Sequence, residues 1–129
     1  MPAMPAECVV KALFDTNILI DYLKGVFSAQ AERDLYQDKA ISIITWMEVQ
    51  VGTSPSDQTQ VDQFLRRFTL LPIDSAVAAS ASTLPRSNKI KLPDAIIWAT
   101  AQTEGRLLVT RNNKDFPASH PDVRVPYVI

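Results

Sequence analysis

The sequence predicts an α/β domain of three layers, a mostly parallel central sheet of about five strands with helices on either side. Short apolar runs of strand character alternate along the chain with stripes of helical spacing. A length of 129 residues with 47% hydrophobic and 21% charged residues suits one globular domain with a real core. No repeat, low-complexity tract or linker divides the chain, so a single domain over residues 1–129 is expected.

The elements follow in order. Met1 to Glu7 lacks the basic and apolar segments of a signal peptide and reads as a flexible leader. Val9 to Phe14 reads as a buried strand, and Asp15-Thr16-Asn17 as the start of a helix. That helix carries Ile18, Leu19, Tyr22 and Leu23 on one stripe and stops at Gly25. A weaker helix spans about Ser28 to Asp38. Ala40 to Ile44 is the second strand, and Thr45 is expected to begin the next helix, which Gly52 ends.

After Pro55, Val61, Phe64, Leu65 and Phe68 mark one helix face. Leu70 to Ile73 forms a short strand whose Pro72 makes it an edge or irregular one. Asp74 caps a helix with Val77, Ala81 and Leu84 inward, which Pro85 is expected to end at Leu84. Pro93 opens a helix running to Glu104, with Gly105 beyond its end. Leu107 to Val109 is a further strand, and Val123 to Val125 adds a last one.

In a parallel sheet, strand C-termini and helix N-termini share one edge, where ligands bind. Asp15 follows the first strand, Glu48 falls in the first turn after the second, and Asp94 in the first turn of its helix. Asp115 comes just after the strand at Leu107 to Val109. Topology therefore brings four carboxylates to one edge. Each has a plainer reading: an N-cap at Asp15, a capping box from Thr45 to Glu48, a dipole partner at Asp94, a turn former at Asp115. Capping does not require all four on one edge, and like charges this close oppose folding unless a cation sits among them.

All-oxygen donors favour hard ions, Mg²⁺ first and Mn²⁺ as a plausible substitute, with Asp15 and Asp94 as direct ligands. Glu48 and Asp115 complete the set directly or through water. Thr16, Asn17, Thr110 and Asn112 stand beside the acids as hydrogen-bonding supports. Such an ion activates water and stabilises in-line phosphoryl displacement, so the expected chemistry is hydrolysis at phosphate. Arg86, Lys89, Lys91, Arg106, Arg111 and Lys114 form a candidate basic rim around the acids, with Lys89, Lys91, Arg111 and Lys114 the candidates to contact a nucleic-acid substrate; the plainer reading is solvated charge on loops and helix ends.

Other chemistries lack their residues. His120 is the only histidine and lies in a Pro-rich tail, where exposure is expected, so cleavage by paired histidines is excluded. Three glycines make no phosphate loop, and no zinc-ligand pattern exists. Cys8 stands alone, which suits a reducing cytoplasm, and no apolar run is long enough to span a bilayer. Trp46, Trp98, Phe64 and Phe68 are expected in the core or a subunit interface rather than under bases.

Three stretches carry a resemblance: Leu13-Phe14-Asp15-Thr16-Asn17-Ile18-Leu19-Ile20-Asp21; Ser42-Ile43-Ile44-Thr45-Trp46-Met47-Glu48-Val49; and Leu92-Pro93-Asp94-Ala95-Ile96-Ile97-Trp98-Ala99-Thr100-Ala101, continued by Leu108 to Phe116. In these the chain resembles PIN-domain ribonucleases, and among them the VapC-type toxins of bacterial toxin–antitoxin pairs. The resemblance implies a PIN-like fold and Mg²⁺-dependent RNA cleavage by Asp15, Glu48, Asp94 and Asp115, with water as nucleophile. It implies products with 5′-phosphate and 3′-hydroxyl ends. It also implies a homodimer and a small antitoxin whose C-terminal segment lies across the active-site groove. One local departure is expected, a helix break over Leu84-Pro85-Arg86-Ser87-Asn88 where relatives often carry a basic helical run.

Two rivals remain. A metal-dependent phosphatase of another doubly wound family normally needs a second Asp two positions after the first, where this chain has Asn17. A degenerate domain would bind RNA or a partner without cutting.

Overall fold

The computed structural model describes residues 10–88 and 90–128. Strand β1 (Lys11–Phe14) leads into helices α1 (Thr16–Leu23) and α2 (Phe27–Asp34). Next come β2 (Asp38–Ser42), α3 (Ile43–Val51), a 3₁₀ turn at Pro55–Asp57, α4 (Gln58–Leu65) and β3 (Thr69–Leu71). The chain continues through α5 (Ser75–Asn88), α6 (Leu92–Thr103), β4 (Leu107–Val109) and β5 (Val123–Arg124). The strands form one sheet in the order β3-β2-β1-β4-β5, and every pairing is parallel.

Alternation along the strands divides the core. Ala12 and Phe14 of β1 face one way, joining Ile41, Val109 and the inner faces of α1, α2 and α4. Leu13 faces the other way, packing with Leu108 and with Val77, Ala95, Trp98 and Phe116. A period-two strand between two helical layers is what three-layer burial requires. Phe64, Phe68 and Trp98 are buried as expected, while Trp46 is only partly so. No described helix is long and apolar enough to cross a membrane.

Local chemistry fixes the element ends. Asp15 caps α1 by accepting from the Thr16 N–H at 2.7 Å. Gly25 stands at φ 82° just past the end of α1, a conformation that costs glycine little. Asp74 accepts from the Val77 N–H at 2.8 Å, in front of α5. β3, followed by Pro72, is an edge strand, as its proline predicts.

Several boundaries differ from expectation. The expected strand at residues 40–44 lies at 38–42, because Ser42 Oγ accepts from the Ile44 N–H at 3.1 Å and starts α3 there. Thr45 is therefore no cap, and Glu48 lies in the second turn of α3 rather than the first. The β-branched pair Ile43-Ile44 had mimicked a strand. The second helix ends at Asp34, four residues early, because Asp38 pairs with Lys11 as the start of β2.

Helix α5 does not end at Leu84 but runs through Pro85 to Asn88. Proline's fixed φ is compatible with helical backbone, and its lack of an N–H removes one bond from such a helix. Helix α5 packs along α6. The expected helix break is thus absent. The expected leader and the start of the first strand, Val9, lie outside the described residues.

His120 is half-buried rather than exposed, with its ring edge-on to Trp98 at 5.3 Å between centroids. At the opposite side of the fold, Glu32 on α2 is 4% exposed and accepts from Arg124 Nε at 2.5 Å, Arg124 Nη2 at 3.0 Å and Tyr36 Oη at 2.9 Å. Removing the cation alone would leave a buried carboxylate without its counter-ion. An Arg124→Met chain is expected to lose about 3 kcal/mol or more of stability, measured by urea unfolding. A loss under about 1 kcal/mol would mean that water takes over from Arg124.

Candidate active site

The C-terminal edge of the sheet gathers the predicted acids. Asp15 stands at the end of β1, its N–H bonded to the Val109 carbonyl at 2.9 Å, and its side chain is 4% exposed. Asp15 Oδ2 accepts from Thr110 Oγ1 at 2.8 Å and Asn17 Nδ2 at 3.2 Å, while Oδ1 takes the Thr16 N–H. Three donors thus fix one carboxylate.

Glu48 comes to the same edge from α3. Thr16 Oγ1 lies 2.7 Å from Glu48 Oε1 and 3.0 Å from Thr45 Oγ1. The carboxylate can only accept, so Thr16 donates to Glu48, with the Thr45 hydroxyl in hydrogen-bond reach of the same Thr16 oxygen. Asp115 sits in the turn after β4 and accepts from Asn112 Nδ2 at 2.9 Å. Asn112 Oδ1 in turn accepts the N–H groups of Lys114 and Asp115, each at 3.3 Å. Asp94 occupies the first turn of α6, behind Pro93.

Electrostatics ties the four together. Burial pushes the Asp15 carboxyl up to about 6, against the donors from Thr110 and Thr16, with the charges of Asp94 and Glu48 adding to the rise. Burial likewise raises Asp94, followed by the charges of Asp115 and Glu48 and a hydrogen bond with Asp115, while Lys91 opposes. Each carboxylate feels at least one other. This edge gathers negative charge that a bound cation would offset.

Among the described residues, no three carboxylate, imidazole or thiol groups are set to hold one metal ion as they stand. The donor set still fits Mg²⁺, which keeps several waters and commonly takes only one or two carboxylates directly. Asp15 and Asp94 are the raised pair and suit direct contact; Glu48, exposed at the rim, suits contact through water.

The candidate basic rim is mixed. Lys91 is the N-cap residue of α6 and Lys114 is exposed beside Asp115, while Lys89 lies outside the described residues. Arg111 turns sideways: its Nε and Nη2 donate to Asp21 at 2.6 and 3.3 Å. Asp21 is 3% exposed and also accepts from Tyr127 Oη at 2.9 Å. Sequence reasoning missed Asp21 and Thr45. The available signal was spacing, since Asp21 follows Asn17 by one helical turn and Thr45 precedes Glu48 by three residues.

A parallel α/β sheet thus gathers four carboxylates at its C-terminal edge, an all-oxygen donor set that would suit a hard cation. The model of the PIN domain matches residues 12–118, and this chain belongs to the PIN-domain family. It is 30% identical over 115 residues to Ribonuclease VapC10 of Mycobacterium tuberculosis, covering 81% of this chain and 85% of that protein. Among solved structures, a toxin–antitoxin complex from Klebsiella pneumoniae contains a chain that is 45% identical and superposes with a TM-score of 0.87. That match covers 92% of this chain and all of the other. FitAcB from Neisseria gonorrhoeae superposes at 0.75 with 25% identity, over 92% and 99% of the two chains.

Proposed function

We propose that this protein is a Mg²⁺-dependent endoribonuclease, the toxin of a toxin–antitoxin pair. The observation that carries the reading is the coupled set of Asp15, Glu48, Asp94 and Asp115, in a chain similar to a VapC ribonuclease and to a partner of a toxin–antitoxin complex. Asn17 argues against the phosphatase rival, because its amide is spent on Asp15.

In this reading Asp15 and Asp94 hold Mg²⁺, or Mn²⁺ in its place, and Glu48 and Asp115 complete the site directly or through water. The bound ion would acidify a water and offset charge on the phosphate oxygens. Glu48, steadied by Thr16, would orient the attacking water and take up its proton. As the water oxygen bonds to phosphorus the bond to the 3′ oxygen would break, and that oxygen would take a proton from solvent water and leave as a 3′-hydroxyl, while Glu48 returns its own proton to solvent. The other fragment keeps a 5′-phosphate. Thr110 and Asn17 hold Asp15, and Asn112 holds Asp115, so the carboxylates need little reorganisation at each turnover. Lys91, Lys114 and Lys89 are the candidates to meet flanking phosphates; Arg111, expected among them, is held by Asp21 instead.

The antitoxin reading has a place on the surface. A groove of about 290 Å³ opens beside Glu48, lined by Ile20, Leu23, Val49, Gly52 and Val61 with Lys24 at its rim. It suits a short amphipathic segment of a small partner, which would cover Glu48. A homodimer working in the cytoplasm completes the proposal.

The test is cleavage of end-labelled structured RNAs, transfer RNAs among them, by purified protein with Mg²⁺ or with EDTA. Discrete cuts with Mg²⁺ alone are expected, with 5′-phosphate ends. Turnover of a small phosphomonoester without RNA cleavage would favour the phosphatase. Metal binding without either reaction would favour a domain that only binds.

A further inference from the structure

The C-terminal segment reaches the catalytic edge through a buried acid that the cleavage reaction does not itself use. Asp21 takes two guanidinium donors from Arg111 and the hydroxyl of Tyr127, and it is almost fully buried. Arg111 is also held through its backbone, whose N–H donates to Asn17 Oδ1 at 3.3 Å. Asn17 and Asp21 lie one turn apart on the same face of α1. Helix α1 therefore grips the loop after β4 at two rungs, by its backbone and by its side chain.

That loop carries the catalytic edge. Thr110, directly before Arg111, donates to Asp15 and accepts the Asn112 N–H at 3.0 Å, and Asn112 holds Asp115. Resting on the proposed nuclease reading, we infer that Asp21 is a positioning residue. Acting through Arg111, with Tyr127 as its second clamp, it sets the loop that carries Asp115 and that holds Asp15 through Thr110. A planar guanidinium that donates twice to one carboxylate fixes orientation as well as charge, which a lysine in its place would not do.

The alternative is that this pair only stabilises the fold, and the experiment separates the two. Three full-length variants are needed: D21N, R111M and D21N/R111M. R111M leaves Asp21 buried without its cation, so its melting temperature falls sharply. The double variant removes both charges and recovers most of that loss.

Positioning predicts that kcat for RNA cleavage stays about 10-fold or more below wild type in the double variant, with KM little changed, although stability has returned. Mn²⁺ titration of the protein without RNA should show binding weakened several-fold in the same variant. Recovery of kcat and Mn²⁺ affinity together with the melting temperature would overturn the proposal and leave Asp21 a stabilising residue only. A wild-type chain that neither cuts RNA nor binds Mn²⁺ would instead overturn the nuclease reading, and this inference with it. Y127F, which removes one hydroxyl, should shift kcat in the same direction as D21N and by less; unchanged kcat would remove the C-terminal segment from the relay.

Discussion

An Asp94→Asn chain is expected to lose RNA cleavage by a factor on the order of 10³ while keeping its fold. The amide occupies the same space, so nothing in the core of α6 moves. It brings no charge, and the carboxylate pair best suited to the cation is reduced to Asp15. The same substitution relieves strain in the metal-free protein. Asp94 is held up by burial and by the charges of Asp115 and Glu48, and it in turn raises Asp15. Removing one charge from this set stabilises the folded state. In EDTA the variant should therefore melt above wild type, and Mg²⁺ should raise its melting temperature less. A folded Asp94→Asn chain cutting RNA at the wild-type rate would sink the assignment.

The second large effect lies in pH. The Asp15 carboxyl moves from 3.8 to about 6 on folding. Between those values the folded state holds a proton that the unfolded state has released, so stability falls as pH rises through this window. Above about pH 6 the cost is fully present; at about 1.4 kcal/mol per pH unit it amounts to about 3 kcal/mol in the absence of metal. Metal-free protein should accordingly unfold more easily at pH 7 than this carboxyl alone would allow at pH 5.

Added Mg²⁺ binds the ionised form and should restore stability at pH 7 more than at pH 5. Urea unfolding at both values, with EDTA and with Mg²⁺, measures this directly. An Asp15→Asn chain should lose most of the difference. If wild type and Asp15→Asn respond alike to pH and metal, Asp15 is not the group responsible. Cleavage at low Mg²⁺ should likewise rise with pH through about 6, with that limb moving to lower pH as Mg²⁺ increases.

The sequence spoke clearly wherever local chemistry and burial demanded the same residue. Leu13 and Phe14 had to be strand because they are apolar on both faces, and Asp15 had to cap because a helix follows at once. Pro72 sits beside a true edge strand. Topology then carried Glu48, Asp94 and Asp115 to the edge that Asp15 occupies, without any local signal saying so.

It was less clear where two elements competed for a residue. Ile43 and Ile44 have strand propensity, yet Ser42 caps the helix ahead of them, so α3 begins at Ile43, ahead of the expected Thr45. Pro85 is a helix breaker in isolation, yet α5 runs through it, packed along α6. Arg111 looked like a free cation beside the acids. Its partner Asp21 is 90 residues away, and long-range ion pairing leaves no trace in local pattern. The same holds for Glu32 and Arg124, 92 residues apart.

The strand order β3-β2-β1-β4-β5 has a consequence for how the molecule is made. Of the five strands in this sheet, the earliest to be synthesised, β1, is its middle one. Its β2 side is filled early, but Leu13 waits for Leu108, some 95 residues later. Until β4 arrives, a half-sheet stands with an open apolar flank, the kind of intermediate that favours slow closure and chaperone attention. Asp15 is synthesised well before Thr110, its hydroxyl donor, which lies 95 residues further along the chain. The growing chain therefore carries an incomplete acidic edge until β4 and the loop after it have been made.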